Sequence, residues 1–221
     1  MMRFKNRVEA GRFLAERLSA YANRPDTLIL GLPRGGVPVA YEVATALNAP
    51  LDVFVVRKLG VPGHEELAMG AIASGGARSL NHDVIEYLGI PDEVVDEVTE
   101  REEHELERRE RLYRDNRPAI SPSGRATILV DDGLATGSSM RAAAIAVRQR
   151  QPASIIVAVP VAALQTCDDL RSLADDVICA YTPEPFYAVG LWYVDFAQTT
   201  DEEVRELLAR AENKLTSAAR R

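Results

Sequence analysis

Residues 128–140 read ILVDDGLATGSSM: an apolar run, two adjacent aspartates, and a short Gly/Ser/Thr loop that opens a helix-patterned segment. A buried strand over Ala126 to Val130 would deliver Asp131 and Asp132 to the carboxyl edge of a parallel sheet, where open α/β folds bind ligands. The loop Ala135-Thr136-Gly137-Ser138-Ser139 offers backbone N–H groups and hydroxyls at a helix N-terminus, a favourable place for a phosphate. Carboxylates would hold hydroxyls while amides hold the phosphate, as a phosphorylated sugar requires. The competing reading is a plain βα turn whose Asp-Asp and Thr-Gly-Ser-Ser are only turn and cap residues.

Outward from this stretch the chain alternates apolar runs with segments of helical period. Strands are predicted over Thr27 to Gly31, Asp52 to Val56, Ala126 to Val130, Ser154 to Val159 and Val177 to Tyr181, with a further Ala/Gly-rich strand from Ala68 to Ala73. Helices are predicted over Asn6 to Tyr21, Val37 to Leu47, Ser138 to Arg150, Ala163 to Leu173 and from Thr200 onward. Asn6/Glu9 and Thr200/Glu203 are spaced as capping boxes. Such alternation predicts an α/β fold: a mostly parallel central sheet with helices on both faces. The 221 residues suit one domain spanning 1–221, with a charged helical insert at about 81–117 and a C-terminal hood at about 183–198. In the insert, Glu97/Arg101, Glu105/Arg109, Glu107/Arg111 and Glu110/Arg114 stand four apart. Each such pair adds only about 0.2–0.5 kcal/mol, so the run reads as a solvated face or as a cover beside the site.

Three further groups carry candidate chemistry. After the first strand, Gly31-Leu32-Pro33-Arg34-Gly35-Gly36 lets backbone approach an anion closely, and Arg34 adds a planar fork of donors. Arg57 and Lys58 follow an apolar strand and would neutralise a phosphate from another side. The segment Pro185 to Phe196 holds the only tryptophan, and Phe186 or Trp192 offers an aromatic face to a planar base.

The 128–140 segment resembles the phosphoribosyl pyrophosphate (PRPP) signature of type I phosphoribosyltransferases, and the order of all four groups is similar to a small bacterial subgroup of that family. Gly133 and Ala135 depart from its commonest form, which has a larger apolar residue and a threonine there. The resemblance implies transfer of the 5-phosphoribosyl group of PRPP to a nitrogen acceptor such as a nucleobase, with release of pyrophosphate and with Mg²⁺ as cofactor. It implies that Asp131 and Asp132 hold the ribose hydroxyls directly or through magnesium-bound water, and that Ala135 to Ser139 anchor the 5′-phosphate. Pro33, Arg34, Gly35 and Gly36 would grip the diphosphate, with the Pro33–Arg34 or Arg34–Gly35 peptide a candidate for the cis form. Arg34, Arg57 and Lys58 would offset the leaving charge, and Asp195 would ligate water or magnesium. A mobile catalytic hairpin is usual after Arg57-Lys58, whereas here Gly63-His64-Glu65-Glu66 and the insert stand in its place. A homodimer is a family-level expectation.

Net charge of −7 argues against a nucleic-acid partner. The sequence shows neither an apolar stretch long enough for a membrane span nor a signal-peptide core, which predicts a cytoplasmic protein. Cys167 and Cys179 have no metal or redox spacing and read as buried free thiols, and the three histidines form no metal motif. A noncatalytic sensor of PRPP or nucleotides with the same fold is the alternative function. An aspartyl-nucleophile phosphatase would need DxDxT order, whereas these aspartates are adjacent.

Overall fold

Every residue of β1 (Thr27–Gly31) and of the later strand Ala126–Val130 is buried, as in strands covered on both sides. The computed structural model describes residues 2–115 and 117–219. Its strands in chain order are β1, β2 (Leu51–Val53), β3 (Val56–Val61), β4 (His64–Ala73), β5 (Ala77–Leu80), β6 (Ala126–Val130), β7 (Ser154–Val159) and β8 (Asp176–Cys179). Five form a parallel sheet in the order β2-β1-β6-β7-β8. Gly31 pairs level with Val130, so the segments after β1 and β6 leave the sheet side by side at one edge.

Alternation along the strands sorts the core into two faces. Ile29, Ile128, Val130 and Ile156 join α1 (Arg7–Arg17), α2 (Gly36–Leu47), α4 (Asp92–Arg114) and α7 (Asp201–Ala219) in one cluster. Leu28, Leu30, Leu129, Ile155 and Val157 join α5 (Ser138–Arg148) and α6 (Leu164–Leu170) in the other. Full burial of each such side chain is worth about 1.5–3 kcal/mol, which far outweighs any surface ion pair of the insert. The expected α/β sheet with helices on both faces is therefore present. Both predicted caps form: Asn6 Oδ1 accepts from the Glu9 amide, and Thr200 Oγ1 from the Glu203 amide, each at 3.1 Å.

The insert comprises α3 (His82–Leu88) and α4. Three of its four predicted pairs form, whereas Arg101 turns to Glu102 instead of Glu97. The helix is more than a solvated face, because Val95, Val98, Leu106 and Tyr113 enter the core. Its last turn is anchored by Arg114, whose Nε donates to the buried Asp52 at 2.9 Å and whose Nη2 donates to the Val53 carbonyl at 2.8 Å. The Ile120 amide completes the shell of Asp52 at 2.9 Å.

Three expectations need correction. The strand around Ala68 to Ala73 does not enter the parallel sheet; β3, β4 and β5 form a separate antiparallel sheet, so the hairpin thought to be replaced is present. Arg57 and Lys58 consequently lie within β3, not at the end of the Asp52 to Val56 strand. The chain changes sheets at Phe54 and Val55: the Phe54 amide donates to the Gly31 carbonyl at 3.0 Å, and the Val55 amide to Ser74 Oγ at 2.8 Å. Cys167 and Cys179 are joined in a disulfide with a Cα–Cα distance of 6.5 Å. A helix-to-strand return brings together two residues whose spacing gives no hint of pairing, so the reading of both as buried free thiols does not hold. No helix among the described residues is long and apolar enough to cross a membrane.

Candidate functional site

The two loops that leave β1 and β6 interlock. A methyl group built at Gly35 would overlap Asp132 Oδ2, and one at Gly36 would lie 2.7 Å from the Val130 carbonyl and 2.9 Å from Asp131 Cα. Glycine at both positions is what allows Pro33-Arg34-Gly35-Gly36 to lie against the acidic pair. The Pro33–Arg34 peptide is cis, one of the two anticipated. Arg34 itself reaches towards α7, with Nη1 3.8 Å from Asp201 Oδ1.

Asp131 and Asp132 cap β6 where the sheet ends. Asp131 Oδ1 accepts the Asp132 amide at 2.8 Å, fixing one carboxylate relative to the next residue. Burial, reinforced by the neighbouring Asp132 charge, pushes the Asp131 carboxyl well above the usual carboxylate range. Burial raises Asp132 as well, against the opposing pull of Arg7. A site that holds such acids in reserve is poised to take a cation or a ring of hydroxyls.

The loop that follows is open to an anion. Gly137 begins α5 at φ +70°, no side chain caps the helix, and Thr136, Ser138 and Ser139 are exposed. The amides of the first turn therefore face outward without intrahelical partners. From behind, Thr166 Oγ1 donates to the Ala135 carbonyl at 2.6 Å, and its methyl packs where a Gly137 side chain would go. Removing that donor in Thr166→Val should loosen this turn and weaken binding of a phosphate-bearing ligand at the loop about three- to tenfold, measured by titration calorimetry.

The predicted cations and aromatics are only partly drawn together. Arg57 Nε donates to Glu102 of α4 at 2.9 Å, while Lys58 Nζ lies 3.6 Å from Glu66 across the hairpin. Neither bonds to the acidic pair among the described residues, because the antiparallel sheet carries them with the insert. Trp192 is buried in a cluster with Phe4, Ala10, Val161 and Tyr193, which removes it as a base platform. Phe186 stacks on it at 6.3 Å and keeps some open surface. Asp195 is exposed, with Oδ1 accepting the Ala197 amide at 3.0 Å.

Contacts that sequence reasoning missed close the site from above. Tyr193 donates its hydroxyl to the Asp132 carbonyl at 2.6 Å, and burial beside that acid raises its pKa. Arg7, 125 residues away in sequence, donates Nε to Asp132 Oδ2 at 2.8 Å. One clue was available: Arg7 is a cation in a first helical turn, where the macrodipole disfavours it unless an acid is near. Val189 of the hood occupies the space above Gly133, 2.5 Å from a methyl built there, which explains why a larger apolar residue is absent.

Comparison with known proteins fits this geometry. A family model for the phosphoribosyl transferase domain matches residues 3–185. Two curated proteins of Mycobacterium tuberculosis, each provisionally named a phosphoribosyl transferase, are 44% identical over 218 residues, 99% of this chain. The chain spans about half the length of these relatives, 49% of each. The crystal structure of TT1426 from Thermus thermophilus superposes with a TM-score of 0.83 at 42% identity, covering 95% of this chain and 99% of that one. A protein of Aquifex aeolicus, AQ2163, shares the fold alone, at TM-score 0.51 and 11% identity over 83% of this chain and 76% of its own.

Proposed function

The chain belongs to the phosphoribosyl transferase domain family, and from that premise we propose that it transfers the 5-phosphoribosyl group of PRPP to a nitrogen acceptor, a nucleobase or related amine, releasing pyrophosphate. The observation that carries the reading is the interlock of Gly35 and Gly36 with Asp132 and Asp131. It sets the Pro33-to-Gly36 loop, the acid pair and the open head of α5 along one edge, which supports reading them as holders of the diphosphate, the ribose hydroxyls and the 5′-phosphate in the order in which PRPP presents those groups.

In this reading Asp131 and Asp132 orient the ribose through its 2′- and 3′-hydroxyls, and Thr136 to Ser139 hold the 5′-phosphate at the head of α5. The Gly35 and Gly36 backbone lies along the diphosphate, and Arg34 offsets charge as it departs. Arg57 and Lys58 join only after release from Glu102 and Glu66. Phe186 offers the acceptor a ring face. Catalysis then rests on positioning and on fixed charges.

Magnesium suits the residues present. The acids supply oxygen donors only, and no cluster of three or more His, Cys, Asp or Glu able to hold a metal exists among the described residues. Such a half-built set fits an ion that keeps waters and takes substrate phosphates as ligands. When bound, Mg²⁺ would neutralise diphosphate charge and orient the sugar.

Pyrophosphate release with PRPP, magnesium and a panel of purines, pyrimidines and simple amines tests the proposal. Acceptor-dependent release is expected. Magnesium-dependent PRPP uptake without turnover would favour a sensor, and no uptake at all would end both readings.

A further inference from the structure

Arg7 stands where four parts of the molecule converge. Besides its bond to Asp132, its Nη1 donates to the Ala197 carbonyl of the hood at 2.7 Å, and its guanidinium lies 4.0 Å from the centre of the Phe196 ring. A methyl group at Gly35 would come 3.2 Å from its Nε, so the diphosphate loop abuts it too. Only 12% of the Arg7 side chain and 14% of that of Asp132 are exposed, which leaves their attraction weakly screened.

We propose that Arg7 is a positioning residue for Asp132 and a built-in counter-charge for the acidic pair, making the site receptive to a sugar phosphate that brings its own divalent cation and resistant to the bare cation. The bond from Nε fixes Oδ2 and with it the orientation of the Asp132 carboxylate. The second bond ties this carboxylate to the hood, so the acid and the segment above it move as one unit. Arg7 also lowers the negative charge of the cluster by one unit. The magnesium complex of PRPP is an anion and the free ion a cation, so the same side chain attracts the first and repels the second. The substrate half of this inference rests on the transferase reading; the metal half does not.

Arg7→Gln and Arg7→Lys in the full chain separate the two. Mn²⁺ alone is titrated by electron paramagnetic resonance, and PRPP with saturating Mg²⁺ by calorimetry. Loss of charge in Arg7→Gln should tighten Mn²⁺ binding about three- to tenfold and weaken Mg·PRPP binding about tenfold, opposite signs that a loosened site would not produce. Arg7→Lys keeps the charge without the planar fork, so Mn²⁺ affinity should stay within about twofold while Mg·PRPP binding weakens about threefold. If the Gln variant does not fold, Arg7→Met, which also removes the charge but keeps an aliphatic stem, is titrated in its place with the same two opposite signs expected. Parallel weakening of both ligands, or no change in either, overturns the inference with the transferase reading intact. Failure of the wild-type chain to take up Mg·PRPP ends that reading and the substrate half together, and unaltered Mn²⁺ affinity in Arg7→Gln ends the metal half.

Discussion

Asp131→Asn should, on the transferase reading, lower pyrophosphate release from PRPP by about 10²–10³-fold and, at the same time, make the protein harder to unfold at pH 8. The amide oxygen of asparagine can still accept the Asp132 N–H that Asp131 Oδ1 accepts at 2.8 Å, so the turn survives. Burial and the Asp132 charge raise the Asp131 pKa, which means the folded protein holds that proton to higher pH than the unfolded chain. Stability is therefore lost as pH rises from the ordinary carboxylate range towards the raised folded value. Asparagine escapes that loss, and its advantage disappears in acid, where both forms are neutral. Thermal midpoints from pH 4 to 8, paired with the rate assay, check both halves. A variant with wild-type turnover, or one less stable at pH 8, would contradict the role given to this acid.

Gly36→Ala should reduce turnover about 10²-fold, mostly through the interlock of the two loops. The new methyl meets the Val130 carbonyl at 2.7 Å and Asp131 Cα at 2.9 Å, and neither is a side chain that can swing away. The Pro33-to-Gly36 loop and the acids must separate, and a displacement near 1 Å at a reacting centre is enough for a loss of about that size. The accompanying overpacking costs about 1–3 kcal/mol, so the circular dichroism spectrum at 25 °C should remain that of a folded protein. Near-normal turnover in a folded variant would mean that the two loops do not act on one substrate.

The parallel sheet was legible because each of its elements repeats a local signal: an apolar run, a glycine or polar turn, then a helical stripe such as Met140, Ala143, Ala144 and Val147. The acid pair and the loop at the head of α5 were legible for the same reason, since their order is contiguous. The antiparallel sheet was not. Val53 to Val56 is an unbroken apolar run, and nothing in it marks Val55 as the point where the chain leaves one sheet for another. Arg57 and Lys58 were accordingly placed at a strand end when their partners are Glu102 and Glu66. Contacts such as Arg7 to Asp132 and Thr166 to Ala135 join residues 125 and 31 positions apart, beyond the reach of any periodic pattern. Trp192 shows the opposite error, an aromatic assigned to a ligand that the core had claimed.

The cystine between α6 and β8 bears on how any sample of this protein must be handled. Cys167 is the immediate neighbour of Thr166, whose hydroxyl donates to the Ala135 carbonyl of the loop at the head of α5. Dithiothreitol in a purification buffer is thus no neutral additive: preparations that have and have not met a thiol reagent are chemically distinct beside the loop at the head of α5, and belong in separate columns of any kinetic record.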